Sequence, residues 1–262
     1  MGAGTCLCSD SRHHQHLSPE RRYLNFSMNH FSSIVYIIPT MLHEEAIETI
    51  PAYVQDAVKN CQVFFTENAR TARRFFKTIW KEMIIDNYEW FEIGKAEEEV
   101  MEAFRQKLKE GKNIGIVSEA GCPGVADPGQ LLIGMAQQLN VTIKPLVGPS
   151  SILLALMASG MNGQQFEFKG YLPIDLQQRI QAIKQMENDS AKKNSTQIFI
   201  ETPYRNNQLI ETILKTCKPS TRFCIAANIS GKQEFIRTKT IADWKKEKTE
   251  FHKVPAIFLL MA

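Results

Sequence analysis

Three segments place glycine, proline and hydroxyl or carboxylate side chains directly after short apolar runs. They are Ser118-Glu119-Ala120-Gly121-Cys122-Pro123-Gly124-Val125-Ala126-Asp127-Pro128-Gly129, Gly148-Pro149-Ser150-Ser151 and Glu201-Thr202-Pro203-Tyr204-Arg205. Glycine in a loop at the end of a strand lets the backbone come close to a bound molecule, and in open α/β sheets ligands sit in the crevice outside the carboxyl ends of the strands. The plainer reading of each is a loop that needs glycine only for its turns. Glu67, Glu119 and Glu201 all fall at strand ends, where a carboxylate can take a proton, cap a helix or pair with a cation. Arg70, Arg73, Arg74 and Lys77 recur at i, i+3, i+4 and i+7, one basic helical stripe that reads either as a phosphate-binding face or as a solvated one.

Other chemistries lack their residues. No G-x-G-x-x-G follows a strand, no G-x-x-x-x-G-K-[ST] occurs and no G-x-S-x-G elbow is present. The six cysteines form no C-x-x-C pair, the histidines complete no metal set, and Cys61 and Cys224 fall in apolar runs where a free thiol behaves as a small hydrophobe. Cys122 lies in the central loop with no histidine beside it in sequence, so a catalytic thiol is not expected there. Unpaired cysteines of this kind suit a reducing cytoplasm.

The elements that must position these loops alternate. Ile34–Ile38 reads as a strand buried on both faces and Pro39 ends it. A helical pattern then runs from Glu44 past Pro51 to Val58, a second strand covers Gln62–Thr66, and a second helix Ala69–Ile79. A third helix spans Ala96–Leu108 with acids at its start; the strand Ile114–Val117, the central loop, a helix from Gly129 to Leu139 and a strand Val141–Leu146 follow. Asp127 followed by Pro128 has the chemistry of an N-cap with proline at the first helical position. Ser150 and Ser151 are placed to cap a helix from Ile152 to Ala158. Further on, Phe166–Leu172, Ile198–Ile200, Phe223–Ala227 and Pro255–Met261 read as strands, Asn207–Leu214 as a helix and the polar stretch 187–196 as a surface loop or frayed helix end.

At 262 residues the chain holds one large or two medium domains. Its composition is ordinary for a soluble protein, and no run of 18 apolar residues supplies a membrane span. Residues 1–27 lack apolar periodicity and read as a disordered extension; Met28, just before the first strand, is a second possible start. The domains are then 28–147 and 148–262. Residues 1–147 carry 15 Lys and Arg against 18 Asp and Glu, and residues 148–262 carry 16 against 10, so the second half is the basic one. That asymmetry fits a partner with phosphates and equally a scatter of surface lysines.

Taken together, V-S-E-A-G-C-P-G-V-A-D-P-G, V-G-P-S-S, F-E-F-K-G-Y-L-P at Phe166–Pro173 and E-T-P-Y-R resemble the tetrapyrrole methylase superfamily. Within it the likeness is nearest to the bacterial family that methylates a cytidine ribose 2′-hydroxyl in small-subunit ribosomal RNA, and it spans roughly Ile34–Gly231. The resemblance implies an N-terminal parallel sheet with helices on both faces and a C-terminal mixed sheet with helices. S-adenosylmethionine would lie in the cleft between these two α/β domains, and the protein would be a homodimer acting on RNA, ribosomal or in a ribosomal subunit. Pro39, Ala120, Gly121, Cys122, Pro123, Val125, Ser150 and Ser151 would hold the cofactor, Arg70 and Arg205 the substrate. A ribose hydroxyl is a poor nucleophile at neutral pH, which makes Glu67, Glu119 and Glu201 the candidate bases.

Departures from the family pattern lie around the donor loops. Its P-I-G-N loop is Pro39-Thr40-Met41-Leu42-His43 here, its E-D-T-R is Glu67-Asn68-Ala69-Arg70, and its E-L-T-K-x-x-E looks like Asn228-Ile229-Ser230-Gly231-Lys232-Gln233-Glu234. The chain therefore reads as a divergent paralogue. Two other readings stay open: a methyltransferase for a small molecule such as a tetrapyrrole, and a non-catalytic RNA- or ribosome-binding protein on a decayed scaffold.

Overall fold

The computed structural model describes residues 32–94 and 97–262. Five strands, β1 (Ile34–Ile38), β2 (Val63–Thr66), β3 (Glu89–Glu92), β4 (Ile114–Val117) and β5 (Thr142–Pro145), form one parallel sheet in the order β3-β2-β4-β1-β5. Because side chains alternate along a strand, each strand feeds two cores. Val35, Ile37, Val63, Phe65, Ile114 and Ile116 pack against α3 (Glu97–Lys109) and α4 (Gly129–Gln138). On the opposite face Tyr36, Ile38, Phe64 and Val117 pack against α1 (Tyr53–Lys59) and α2 (Ala69–Ile79). Burial on both faces is why these strands read as continuous apolar runs.

The second sheet is mixed. Strands β6 (Phe166–Tyr171), β7 (Thr196–Ile200), β8 (Arg222–Ala227), β9 (Phe235–Thr240) and β10 (Ala256–Met261) take the order β6-β7-β10-β8-β9, with only β6 and β7 parallel. One face carries α6 (Leu176–Lys193), α7 (Asn206–Thr216) and α8 (Ile241–Trp244) over a core that includes Phe199, Phe223, Phe258 and Trp244. The other face is covered by α5 (Ser151–Ser159), whose Ala155 and Leu156 sit on Ile198, Cys224, Ala226, Ile257 and Leu259, with Leu42 from the first half beside them. Helix α5 thus carries the chain from the Gly148–Ser151 turn onto the second sheet.

Several expectations change. The helix expected from Glu44 to Val58 is broken: a 3₁₀ turn covers Ile47–Thr49 and α1 starts only at Tyr53. Proline restricts the residue before it, and Ile50, ahead of Pro51, is extended. Of the two readings of the polar stretch 187–196, a surface loop or a frayed helix end, the structure has the helix end. Through Lys193 it is the end of the 18-residue α6, and Glu187 is buried there, accepting from the Lys218 amide (2.8 Å) and the Thr221 hydroxyl (2.5 Å). Ser150 precedes α5, yet its side chain makes no capping bond. The N-cap of α4 is Pro128 and not the expected Asp127, which stands one residue earlier; its Oδ1 still serves the helix start, accepting from the Gly129 amide at 2.7 Å and the Gly124 amide at 2.9 Å. The expected extension over residues 1–27 lies outside the described residues.

Candidate active site

The loops after β1, β4 and β5 converge at the carboxyl ends of the first sheet. Thr40 and Gly121 exchange backbone hydrogen bonds (2.9 and 3.2 Å), which fastens the loop after β1 to the one after β4. Gly121 has a φ of +76°, a conformation that a Cβ would strain by about 1–2 kcal/mol. Gly148 permits an equally close approach, because a Cβ there would lie 2.1 Å from the Pro39 Cβ. The turn after β5 can therefore press on Pro39 only as glycine.

Between these loops and the second sheet lies a cleft made of two adjoining cavities. One, about 160 Å³, is lined among others by Leu42, His43, Ala120, Ser151, Ala226, Asn228 and Pro255. The other, about 70 Å³, is lined by Leu42, Ala120, Gly121, Cys122, Val125, Ser150, Ser151 and Phe168, among others. Neither has a lysine, arginine or carboxylate in its walls. Burial pushes the Cys122 thiol up, and its Sγ faces the Pro149 carbonyl at 3.5 Å, so it stays a neutral donor.

Of the eight residues expected around the cofactor, six line this cleft: Ala120, Gly121, Cys122, Val125, Ser150 and Ser151. Pro39 and Pro123 are buried behind it and are not among its lining residues. His43, Asn228 and the start of β10 were missed as lining residues; for Asn228 the partial likeness over Asn228–Glu234 was the available signal.

Next to the cleft, and sharing Leu42 and Ala120 with it, is a cavity of about 440 Å³ between the loop after β1 and helix α2. Its walls carry Glu44, Glu45, Arg74 and Glu119, with Thr40, Thr71 and Thr78. Of the three expected carboxylates, Glu119 alone lines it. Glu67 sits behind, its Oε2 accepting from the Glu119 amide at 3.0 Å and so tying the ends of β2 and β4 together. Glu201 is fully enclosed, and its Oε1 is taken up by the Thr202 amide (2.7 Å) and by Arg205 (2.9 and 2.5 Å). Glu201 and Arg205, expected as base and substrate contact, are bound to each other, with the Arg205 side chain still partly exposed.

The basic stripe divides in the same way. Arg73 lies 4.9 Å over the Trp90 ring, and Lys77 donates to the Met83 carbonyl at 3.0 Å and to that of Lys81. Arg70 is exposed at the start of α2, and Arg74 turns to the charged cavity. Asn68, standing where the family pattern has aspartate, caps α2 by accepting from the Arg70 and Thr71 amides (3.0 and 3.2 Å), a task asparagine does as well as aspartate.

A parallel sheet and a mixed sheet that close a loop-lined cleft without lysine, arginine or carboxylate at their strand ends define a two-domain α/β protein built to hold a small ligand between its halves. The sequence model of the family Tetrapyrrole (Corrin/Porphyrin) Methylases matches residues 46–244. Two relatives, from Buchnera aphidicola (subsp. Schizaphis graminum) and Bacillus subtilis, are both named Ribosomal RNA small subunit methyltransferase I. They are 28% and 25% identical, covering 88% and 87% of this chain and 78% and 75% of their own. Among solved structures, the methyltransferase CobJ aligns with a TM-score of 0.60 at 14% identity over 87% of this chain and 94% of its own. A uroporphyrin-III C-methyltransferase from Thermus thermophilus complexed with S-adenyl homocysteine aligns at 0.51 and 15%, over 87% and 97%. The chain belongs to the tetrapyrrole methylases and is an S-adenosylmethionine-dependent methyltransferase. The cleft suits that cofactor: walls without a lysine or arginine place no like charge beside a sulfonium, and they leave apolar surface and loop backbone for the rest of the molecule.

Proposed function

We propose that this methyltransferase acts on a ribose 2′-hydroxyl of RNA, ribosomal RNA or a ribosomal subunit being the acceptor. The observation that carries this reading is the position of Glu119, an exposed carboxylate in the charged cavity and one residue from Ala120, which belongs to the walls of both cavities. The relatives' names and the sequence motifs support the same acceptor.

S-adenosylmethionine supplies a methyl group on a sulfonium. Transfer of that methyl to a hydroxyl oxygen would leave a neutral thioether and a proton for the protein to accept. Aligning the reacting groups is the larger part of the task. Ala120, Gly121, Ser150 and Ser151 hold the donor side of the site, and Leu42 and Ala120 fix the boundary across which the acceptor approaches. Glu119 takes the hydroxyl's proton, while Glu67 holds the Glu119 backbone in place.

The active form is a homodimer in this reading. Leu153 and Met157, one turn apart on α5 and 52% and 78% exposed, leave an apolar stripe on a helix whose other face is core. No helix among the described residues is long and apolar enough to cross a membrane, and the enzyme is proposed to work beside its RNA in the cytoplasm. Mapping ribose methylation in small-subunit RNA from a strain lacking the gene tests the acceptor. One 2′-O-methyl group should disappear and return on complementation; an unchanged map rules this acceptor out.

A further inference from the structure

The charged cavity has a composition that selects among acceptors. Four ionisable side chains face it, and two of them lie on the rim loop after β1. Glu45 is paired with Lys232 at 3.1 Å, a bond that joins this loop to the second half of the chain. Glu44, Glu119 and Arg74 are exposed and make no side-chain hydrogen bond or ion pair among the described residues. On α2, Thr71, Arg74 and Thr78 follow at helical spacing, so one helix face presents a guanidinium between two hydroxyl-bearing residues. Of the other cations on that helix, Arg73 lies on Trp90 and Lys77 on the carbonyls of Lys81 and Met83, while Arg70 is exposed at the helix start and is not among the residues lining the cavity.

We propose that this cavity seats one nucleotide of the acceptor RNA, with Arg74 holding the phosphate next to the ribose that is methylated. The inference rests on the acceptor proposed above and adds the contact that selects it. Guanidinium binds a phosphate through paired N–H donors, which gives orientation as well as affinity. The carboxylates Glu44 and Glu119 accept from ribose hydroxyls or a base amino group. A single phosphodiester accompanied by several hydrogen-bond donors matches one guanidinium accompanied by carboxylates. An acceptor carrying many carboxylates would meet like charge at three of the four ionisable positions, so a polyanionic macrocycle is disfavoured. The shared wall at Leu42 and Ala120 puts the nucleotide beside the donor cleft.

The test uses small ribosomal subunits from a strain lacking the gene, with S-adenosylmethionine labelled on the methyl group, and compares the full-length protein with Arg74→Gln and Arg74→Lys. For Arg74→Gln, KM for subunits should rise about tenfold, the loss of one charge-assisted contact. The slope of log KM against log salt should fall by roughly one, the signature of a lost phosphate contact. Calorimetric affinity for S-adenosylmethionine should not change, and Arg74→Lys should recover the salt slope and part of the KM. If Arg74→Gln keeps the wild-type KM and salt slope while the wild type methylates subunits, the nucleotide lies elsewhere and the inference is overturned. If the wild type binds the cofactor but transfers no methyl to subunits, the proposed acceptor itself falls, and the inference falls with it.

Discussion

The two cavities that meet at Leu42 and Ala120 are made of different material. On the cleft side, loops after β1, β4 and β5 contribute backbone and small or apolar side chains, and no wall residue is a carboxylate, lysine or arginine. On the other side, α2 and the rim loop contribute long charged and hydroxyl side chains. A site that holds a cofactor common to a whole family can be shaped by glycine, proline and loop register. A site that chooses one acceptor has to be written in side chains, which change without disturbing the fold. Under the proposed function that contrast would separate the side that holds the family's methyl donor from the side that selects the acceptor.

The contrast can be broken or sharpened by substitution. The largest expected effect falls on a residue that belongs to neither cavity. Glu201→Ala leaves Arg205 without its buried partner and should cost about 3 kcal/mol or more, read by urea denaturation. Glu119→Gln should lower kcat for methyl transfer about a hundredfold, with calorimetric affinity for S-adenosylmethionine unchanged. A fall in that affinity instead would move Glu119 to the donor side. Gly121→Ala should cost about 1–2 kcal/mol of stability and weaken cofactor binding, because its φ of +76° is strained for any side chain.

The smallest effect concerns Asp127. Burial raises its carboxyl above the ordinary value, against the pull of the Gly124 and Gly129 amides. The folded state therefore binds this proton more readily than the unfolded chain. Stability from the group is full below the ordinary aspartate value of about 4 and declines as pH rises through the raised one. Asp127→Asn keeps an acceptor oxygen and lacks the titration. Its stability relative to wild type should rise between pH 4 and pH 7, measured by thermal melts; a constant difference would mean that Asp127 does not titrate abnormally.

Much of the loop-lined cleft was legible in the sequence, since glycine and proline in loops after apolar strands mark places where backbones must approach. Gly121 and Gly148 are such places, and β1, β2 and β4 were plain because burial on both faces leaves unbroken apolar runs. The edge strands β3 and β9 were not. Each is only partly buried and too rich in charged and polar residues for an unbroken apolar run, as Glu89-Trp90-Phe91-Glu92 and Phe235-Ile236-Arg237-Thr238-Lys239-Thr240 show, a composition that edge strands and loops share. Helix α6 was hidden by its polar surface and by Glu187, whose burial depends on partners 31 and 34 residues away. For the charged cavity, the arginines at 70, 73 and 74 look alike in sequence. Only the placement of Trp90 separates Arg73, spent on that ring, from Arg74, left facing the cavity.

Calorimetric titration of S-adenosylmethionine into the wild type and into Ser151→Phe tests the central claim, that the loop-lined cleft is the donor site. Ser151 lines both of its cavities and sits at the start of α5, so a phenyl ring there fills the space without touching the charged side. The wild type should bind one cofactor per chain, and the variant, with circular dichroism unchanged, should show no binding. Equal affinity in the two proteins, or no heat from the wild type at millimolar cofactor, would contradict the account.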